Sequence, residues 1–201
     1  MALSESDLCA DPMAQFQLWF AEWREHAGAG GEFNAVTLAT ADANGKPSAR
    51  IVLLKEVDAD GFVFYTNYRS RKGTELAANP NAALTFWWPP MERQVRAEGV
   101  VAKVDAAQSD AYFHSRPRKS QLGAAASQQS ETLSDYAALT DEIARLDKKH
   151  PQTIPRPPHW GGYRLTPHRM EFWQSRANRL HDRVCYWRVG EGGWSRGRLW
   201  P

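Results

Sequence analysis

NAVTLATADANGKPSARIVLLKEVDADGFVFYT, residues 34–66, decides the fold. Val36 to Ala41 and Ser48 to Val57 are β-rich runs on either side of Asn44-Gly45, the dipeptide that most favours a tight hairpin turn. Asp58 to Gly61 turns the chain again into Phe62-Val63-Phe64-Tyr65-Thr66. Further on, Ser70 is placed to cap a short helix through Ala78, stopped near Asn79-Pro80. Ala82 to Trp88 and Gln94 to Val104 read as two more strands around Pro89-Pro90. A meander of about five short strands points to an antiparallel barrel or sandwich.

Working outward, Asp11-Pro12 reads as the N-cap and first residue of a helix. Phe16, Trp19, Phe20 and Trp23 put one apolar face on that helix, and Gly28 to Gly31 ends it. Asp105 and Gln108 resemble a capping box for a helix through Phe113. Residues 123–132 are small and polar and read as a loop; Ser134 then caps a helix to about Lys149. Pro151 to Pro158 holds four prolines and predicts an extended connector. Gly161–Leu165, Arg169–Gln174, Val184–Val189 and Trp194–Leu199 read as strands, the last pair turned by Gly190 to Gly193. The expected fold is mainly β with peripheral helices (α+β), an antiparallel barrel in one domain over residues 1–201, with residues 1–10 flexible.

Composition narrows the function. The 201 residues carry 25 Lys+Arg against 23 Asp+Glu, a net charge of +2, too weak a balance for a general nucleic-acid binder. Two cysteines, Cys9 and Cys185, make neither a disulfide framework nor a thiolate metal site, and a reduced, cytoplasmic setting is expected. MALSESDLCADP lacks the basic and apolar regions of a secretory leader, and the longest nearly apolar run, Ala82 to Pro90, is too short to span a bilayer. No membrane or nucleic-acid partner is expected. Of the basic residues 18 are Arg, and there are 9 Trp. Arginine favours bidentate anion contacts and ring stacking, so the excess fits an anionic planar ligand, and it fits a genome rich in arginine codons as well.

Four constellations carry chemistry. In Arg50-Ile51-Val52-Leu53-Leu54-Lys55 the two cations lie five positions apart and point to opposite faces of a regular strand. In Tyr65-Thr66-Asn67-Tyr68-Arg69-Ser70-Arg71-Lys72-Gly73 a strand runs into a helix N-terminus bearing hydroxyls and cations, an anion site by its N–H groups and dipole. Tyr112, Arg116 and Ser120 are spaced four apart, a phosphate cup if helical geometry carries through Pro117. Arg179-Leu180-His181-Asp182-Arg183 packs two arginines, a histidine and an acid into five residues, which cannot all be core. Arg179 and His181 share a face if that segment is extended. Metal ligation is not expected there, because no second histidine or carboxylate sits at ligand spacing. The chain has no G-x-S-x-G elbow, no Walker loop and no G-x-G-x-x-G, which argues against a serine hydrolase of that type and a Rossmann site. Trp160 within His159-Trp160-Gly161-Gly162-Tyr163 reads as packing.

Six ordered strings resemble the pyridoxamine 5'-phosphate oxidase family: RIVLLK (50–55), FYTNYRSRKG (64–73), ERQVRAEG (92–99), YFHSRPRKSQLGA (112–124), PRPPHWGGYR (155–164) and EFWQSRANRLHDR (171–183). The resemblance runs from about Asp11 to the C-terminus. It implies an FMN-binding split β-barrel, homodimeric, with FMN at the subunit interface and residues 155–201 as a dimerisation and substrate segment. It implies that FMN is held by Arg50, Ile51, Val52, Leu53, Leu54, Lys55, Tyr65, Thr66, Arg71 and Lys72, completed by Gln94, Gln129, Ser130, Trp173 and Arg183, several from the partner. The substrate phosphate would be held by Lys55, Tyr112, Arg116 and Ser120. Arg179, Leu180 and His181 would lie at the pyridine ring, with Arg179 and His181 in the catalytic roles.

The implied reaction takes hydride from C4' of pyridoxine or pyridoxamine 5'-phosphate to flavin N5, and O2 becomes H2O2, giving pyridoxal 5'-phosphate; the amine substrate also releases ammonia by imine hydrolysis. The chain departs from the family pattern in a short N-terminal arm, in Ala125 where the family has Trp, and in Trp200 near the terminus. A related split-barrel flavin oxidase acting on another aromatic, such as a phenazine precursor, is the alternative enzyme; a non-catalytic flavin or pyridoxal phosphate carrier is the alternative outside enzymes. The residues of the phosphate cup speak for a phosphorylated substrate, and Arg179 with His181 speak against a carrier.

Overall fold

The computed structural model describes residues 3–4, 7–27, 32–190 and 192–201. Helix α1 (Pro12–Ala27) begins where Asp11 accepts the Met13 N–H at 2.8 Å. Strands β1 (Ala35–Ala41) and β2 (Pro47–Asp58) form the hairpin, with Gly45 at φ 78° as the turn requires. β3 (Gly61–Asn67), α2 (Arg71–Ala78), β4 (Asn81–Trp88) and β5 (Arg93–Lys103) follow. Next come α3 (Ala106–Ser115), α4 (Arg118–Ala126) and α5 (Tyr136–Lys149), then β6 (Trp160–Gln174), β7 (Asp182–Val189) and β8 (Gly193–Arg198).

The sheet order is β3-β2-β1-β4-β5-β6-β7-β8, and β3 also pairs with β6, so six antiparallel strands close into a barrel. β7 and β8 extend outward from the second half of β6. The interior holds Leu38, Phe64, Leu84, Val95, Leu165 and Phe172, all fully buried. From α1, Phe16 meets Phe62 and Phe86 at 4.8 Å between centroids, and Trp19 meets Phe172 edge-on at 5.2 Å. The helix therefore docks through the apolar face read from its spacing. A smaller cluster, Phe113, Leu122, Ile154 and Trp160, sits under α3 and α4.

Four local expectations change. Residues 161–174 form one strand rather than two, because β6 itself bulges: Glu98 and Gly99 of β5 face Arg169 and Pro167, His168 is left as the extra residue, and the bulge accommodates the proline. Residues 123–126 belong to α4 rather than to a loop; Leu122 is buried and Ala124 and Ala125 pack on the smaller cluster. Asp135, not Ser134, caps α5, accepting the Ala137 N–H at 2.8 Å. β2 is not regular, since its pairing with β3 shifts between Leu54 and Glu56 and leaves Lys55 as the extra residue of a bulge. The helix end expected at Gly28 to Gly31 lies outside the described residues.

In the N-terminal arm Leu8 is buried, and Leu3 N–H donates to Asp182 at 2.9 Å. Tyr186 Oη donates to the Cys9 carbonyl at 2.8 Å, and Arg196 to that of Leu8 at 2.8 Å. These bonds tie the described part of the arm to β7 and β8. Among the described residues no helix is long and apolar enough to cross a membrane.

Candidate functional site

A cavity of about 970 Å³ opens between β2, the end of β3, α2 and the α3–α4 corner. That is at the upper end of small-molecule sites, which run to roughly 1,000 Å³. Arg50, Ile51, Val52, Leu53, Lys55, Tyr65, Thr66, Arg71, Lys72, Tyr112, Arg116, Ser120, Gln129 and Ser130 all line it, so one chain brings together most of the residues singled out in its sequence. Arg50 and Lys55, expected on opposite faces, both line it, as do the consecutive residues Ile51, Val52 and Leu53 between them, and the bulge at Lys55 breaks the strand's alternation there. Leu54 does not line it; that side chain is buried in the barrel core.

Its cations fall into two groups. The first is built where β3 hands over to α2. Ser70 caps the helix, and Lys72 Nζ, turned into the structure, donates to Gln129 at 3.0 Å, Thr66 at 3.2 Å and Ser70 at 3.3 Å. Burial and the neighbouring Arg50 charge bring the Lys72 ammonium down to about 8. Glu75, one turn on, is buried and accepts from Thr40 (2.5 Å), Ser48 (2.6 Å), Arg71 (2.9 Å) and Arg50 (3.2 Å). Burial raises its carboxyl, but the donors outweigh burial and hold it down to about 2. Arg50 also bonds Thr40, Ser48 and the Leu38 carbonyl.

The second group is aromatic-backed. Tyr65 and Tyr112 stack at 3.9 Å between centroids, and Trp160 lies nearly parallel to both. Arg116 sits over Trp160 at 4.7 Å. Its Nη1 is buried without a hydrogen-bond partner among the described residues, and burial lowers the guanidinium from its ordinary value. Tyr65 Oη donates to Glu56 at 2.8 Å, and Gln108 from α3 donates to the other Glu56 oxygen at 2.6 Å, docking α3 on the barrel. The helix breaks at Arg116, yet Tyr112, Arg116 and Ser120 still line one cavity. Trp160 is therefore part of the cavity wall as well as packing.

The remaining residues lie elsewhere. Gln94 pairs with Trp173 across β5 and β6, and Trp173 meets half-exposed Trp87 at 6.0 Å and His181 at 4.6 Å. Arg183 forms a double ion pair with buried Glu171, at 2.8 and 3.1 Å. Arg179 and Leu180 are exposed. The segment carrying Arg179 and His181 is not extended: Asn178 and Arg179 take φ of 60° and 61°, a left-handed turn before β7. None of these six lines the cavity of its own chain. Among the described residues no group of three His, Cys, Asp or Glu is placed to hold a metal ion.

The chain has clear relatives. Residues 23–150 match the family model described as pyridoxamine 5'-phosphate oxidase, and residues 160–201 match the pyridoxine 5'-phosphate oxidase C-terminal dimerisation region. A pyridoxine/pyridoxamine 5'-phosphate oxidase of Thermosynechococcus vestitus is 57% identical, over 99% of this chain and 93% of that protein. One from Cupriavidus metallidurans is 54% identical, over 100% and 93%. Among solved structures, PhzG from Burkholderia lata in complex with tetrahydrophenazine-1-carboxylic acid is 32% identical with a TM-score of 0.90, over 100% of this chain and 98% of that one. A pyridoxamine 5'-phosphate oxidase-related, FMN-binding protein of Nostoc punctiforme shares the fold at a TM-score of 0.74 and 18% identity, each chain covered in full.

Proposed function

The chain belongs to the pyridoxamine 5'-phosphate oxidase family, and from that membership we propose that it oxidises pyridoxine and pyridoxamine 5'-phosphates to pyridoxal 5'-phosphate with FMN as cofactor. The observation that carries this reading is the pair of separate cation groups in one cavity, one at the N-terminus of α2 and one on the Tyr112–Trp160 stack. Two phosphate-bearing planar ligands need two such seats. The donor chemistry fits: Lys72 is a buried ammonium held by neutral oxygens, and Arg116 keeps a buried, unbonded N–H group.

Arg71, Lys72 and the free N–H groups of α2 hold the FMN phosphate, with Thr66, Gln129 and Ser130 beside them. Lys55, Tyr112, Arg116 and Ser120 hold the substrate phosphate. FMN held there would supply the redox chemistry, taking up the hydride from C4' and reducing O2 to H2O2, while the imine formed from the amine substrate would hydrolyse with release of ammonia. The protein supplies orientation and charge. Gln94, Trp173, Arg179, Leu180, His181 and Arg183 are outside their own chain's cavity, and the segment from residue 160 matches a dimerisation region, which supports a homodimer in which they complete the partner's site. Arg179 clamps the substrate ring and steadies developing charge. His181 Nδ1 accepts the Arg176 N–H at 3.2 Å, so the neutral ring carries its proton on Nε2, the atom that can face substrate.

The test is direct. The purified protein is expected to show flavin absorption and, with pyridoxine 5'-phosphate in air, to form pyridoxal 5'-phosphate and peroxide together. Bound flavin with neither B6 phosphate turned over would overturn the reading. Oxidation of a phosphate-free reduced phenazine instead would move the chain to the alternative reading raised by its similarity to PhzG.

A further inference from the structure

Glu75 does not line the cavity, yet it is the most heavily bonded carboxylate behind the first phosphate seat. Its two oxygens have different work. Oε1 accepts only the Arg71 Nε–H, at 2.9 Å, among the described residues. Oε2 gathers Thr40 at 2.5 Å, Ser48 at 2.6 Å and Arg50 at 3.2 Å. Thr40 and Ser48 are opposite each other on β1 and β2, so this oxygen pins α2 to the hairpin. Arg50 spends its terminal nitrogens on Leu38, Thr40, Ser48 and Glu75. Arg71 is different: its side chain is 61% exposed, and its Nη1 and Nη2 carry no protein hydrogen bond among the described residues.

We propose that Glu75 is a positioning residue for the FMN phosphate: by taking Arg71 through Nε it fixes the guanidinium and leaves both terminal amino groups for the ligand. The idea rests on the reading that Arg71 and Lys72 hold that phosphate. A guanidinium presents its donors as a rigid fork, so tethering Nε fixes where the two remaining amino groups lie. Without the tether an exposed arginine side chain loses rotamer freedom on binding, and the affinity falls by that amount. The negative charge of Glu75 acts the other way, repelling a phosphate. Orientation and repulsion thus predict opposite signs for the same substitution.

Glu75→Gln separates them. The amide oxygen can keep Thr40, Ser48 and Arg50 as donors, but the amide NH2 then faces the Arg71 Nε–H and cannot accept it. The apo chain, Glu75→Gln, Arg71→Ala and the double variant are titrated with FMN and with riboflavin, read by flavin fluorescence quenching. Glu75→Gln is expected to bind FMN about tenfold more weakly and riboflavin within about twofold of wild type, because only the phosphate contact is lost. In the Arg71→Ala background the same change should alter FMN affinity by less than about twofold, the mark of a shared interaction.

FMN binding as tight as wild type or tighter in Glu75→Gln would overturn the proposal, as would equal losses for FMN and riboflavin, which a purely structural role produces. Unchanged FMN affinity in Arg71→Ala would instead sink the phosphate-seat reading itself, and the proposal with it. Should Glu75→Gln fail to fold, Arg71→Lys puts the same question: it keeps the charge but loses the fork, and wild-type FMN affinity there would overturn the proposal.

Discussion

The Arg116 guanidinium lies 4.7 Å from the Trp160 ring, and its Nη1 is buried with no hydrogen-bond partner among the described residues. A buried N–H donor left unmet is costly unless a ligand meets it. The aromatic wall holds the group in place while Lys55, Tyr112 and Ser120 border the same space.

Arg116→Met should therefore raise KM for pyridoxine 5'-phosphate and leave FMN content near stoichiometric. Loss of a charge-assisted contact of roughly 2–3 kcal/mol corresponds to about 30- to 150-fold. Steady-state kinetics with the flavin-to-protein absorbance ratio checks both halves. Loss of flavin with unchanged KM would place Arg116 at the other ligand.

Tyr65 acts through its ring. It stacks on Tyr112 at 3.9 Å while its hydroxyl is spent on Glu56; burial and that hydrogen bond raise the phenol above its ordinary value and keep it a donor. Tyr65→Phe is expected to cost about 1 kcal/mol of stability for the lost hydrogen bond and to leave KM nearly unchanged. Tyr65→Leu removes the stacking partner, worth about 1 kcal/mol beyond burial, and should raise KM about fivefold by loosening Tyr112. Thermal melts and kinetics on the two variants separate hydroxyl from ring.

Much of this was legible in the chain, and the exceptions share a cause. The hairpin at Asn44-Gly45, the cap at Ser70 and the face of Phe16 and Trp19 are local signals, and local chemistry realises them. Residues 123–126 are small and look like loop, but packing under Trp160 keeps them helical. Pro167 looks like a strand end, but a bulge at the neighbouring His168 lets β6 continue past it. In the site, side chains with positive charge announce themselves, whereas Glu75 and Glu56 do not, because their value lies in which donors the fold brings to them. The one sequence hint was the four-residue spacing of Arg71 and Glu75 in RKGTE. Arg179 and His181 at i, i+2 suggested a strand face, and the left-handed turn at Asn178 was hidden because asparagine tolerates positive φ without a glycine to mark it.

Lys72 gives a pH dependence. Its ammonium titrates at about 8 in the ligand-free chain, against an ordinary 10.5. Between those values the unfolded chain binds the proton and the folded one does not, so this residue makes stability rise as pH goes from about 8 to about 10.5. FMN affinity moves oppositely, because a phosphate needs the charged ammonium: affinity should fall above pH 8, by up to about tenfold per pH unit. Lys72→Met should weaken FMN at pH 7 and flatten both trends. Urea melts and FMN titrations between pH 7 and 9.5, wild type against variant, check the signs; parallel pH profiles in the two proteins would remove Lys72 from the phosphate seat.

Arg179 occupies a backbone conformation that its side chain disfavours, φ 61°, immediately after Asn178 at φ 60°. A non-glycine residue in the left-handed region costs about 1–2 kcal/mol, and such strain persists where a function requires that residue. Arg179→Gly relieves the backbone but adds unfolded-state entropy worth about 1 kcal/mol, so stability should be unchanged or slightly higher. Arg179→Ala keeps the strain and removes the same guanidinium. Because the side chain is exposed and makes no hydrogen bond or ion pair among the described residues, neither variant should disturb folding or flavin content. Both should lower kcat by about 10- to 100-fold if the guanidinium steadies charge developing at the substrate ring, with KM changing less. Equal kinetic losses with Arg179→Gly the more stable variant would show that the strained turn serves the side chain. Normal turnover in either variant would remove Arg179 from the reaction.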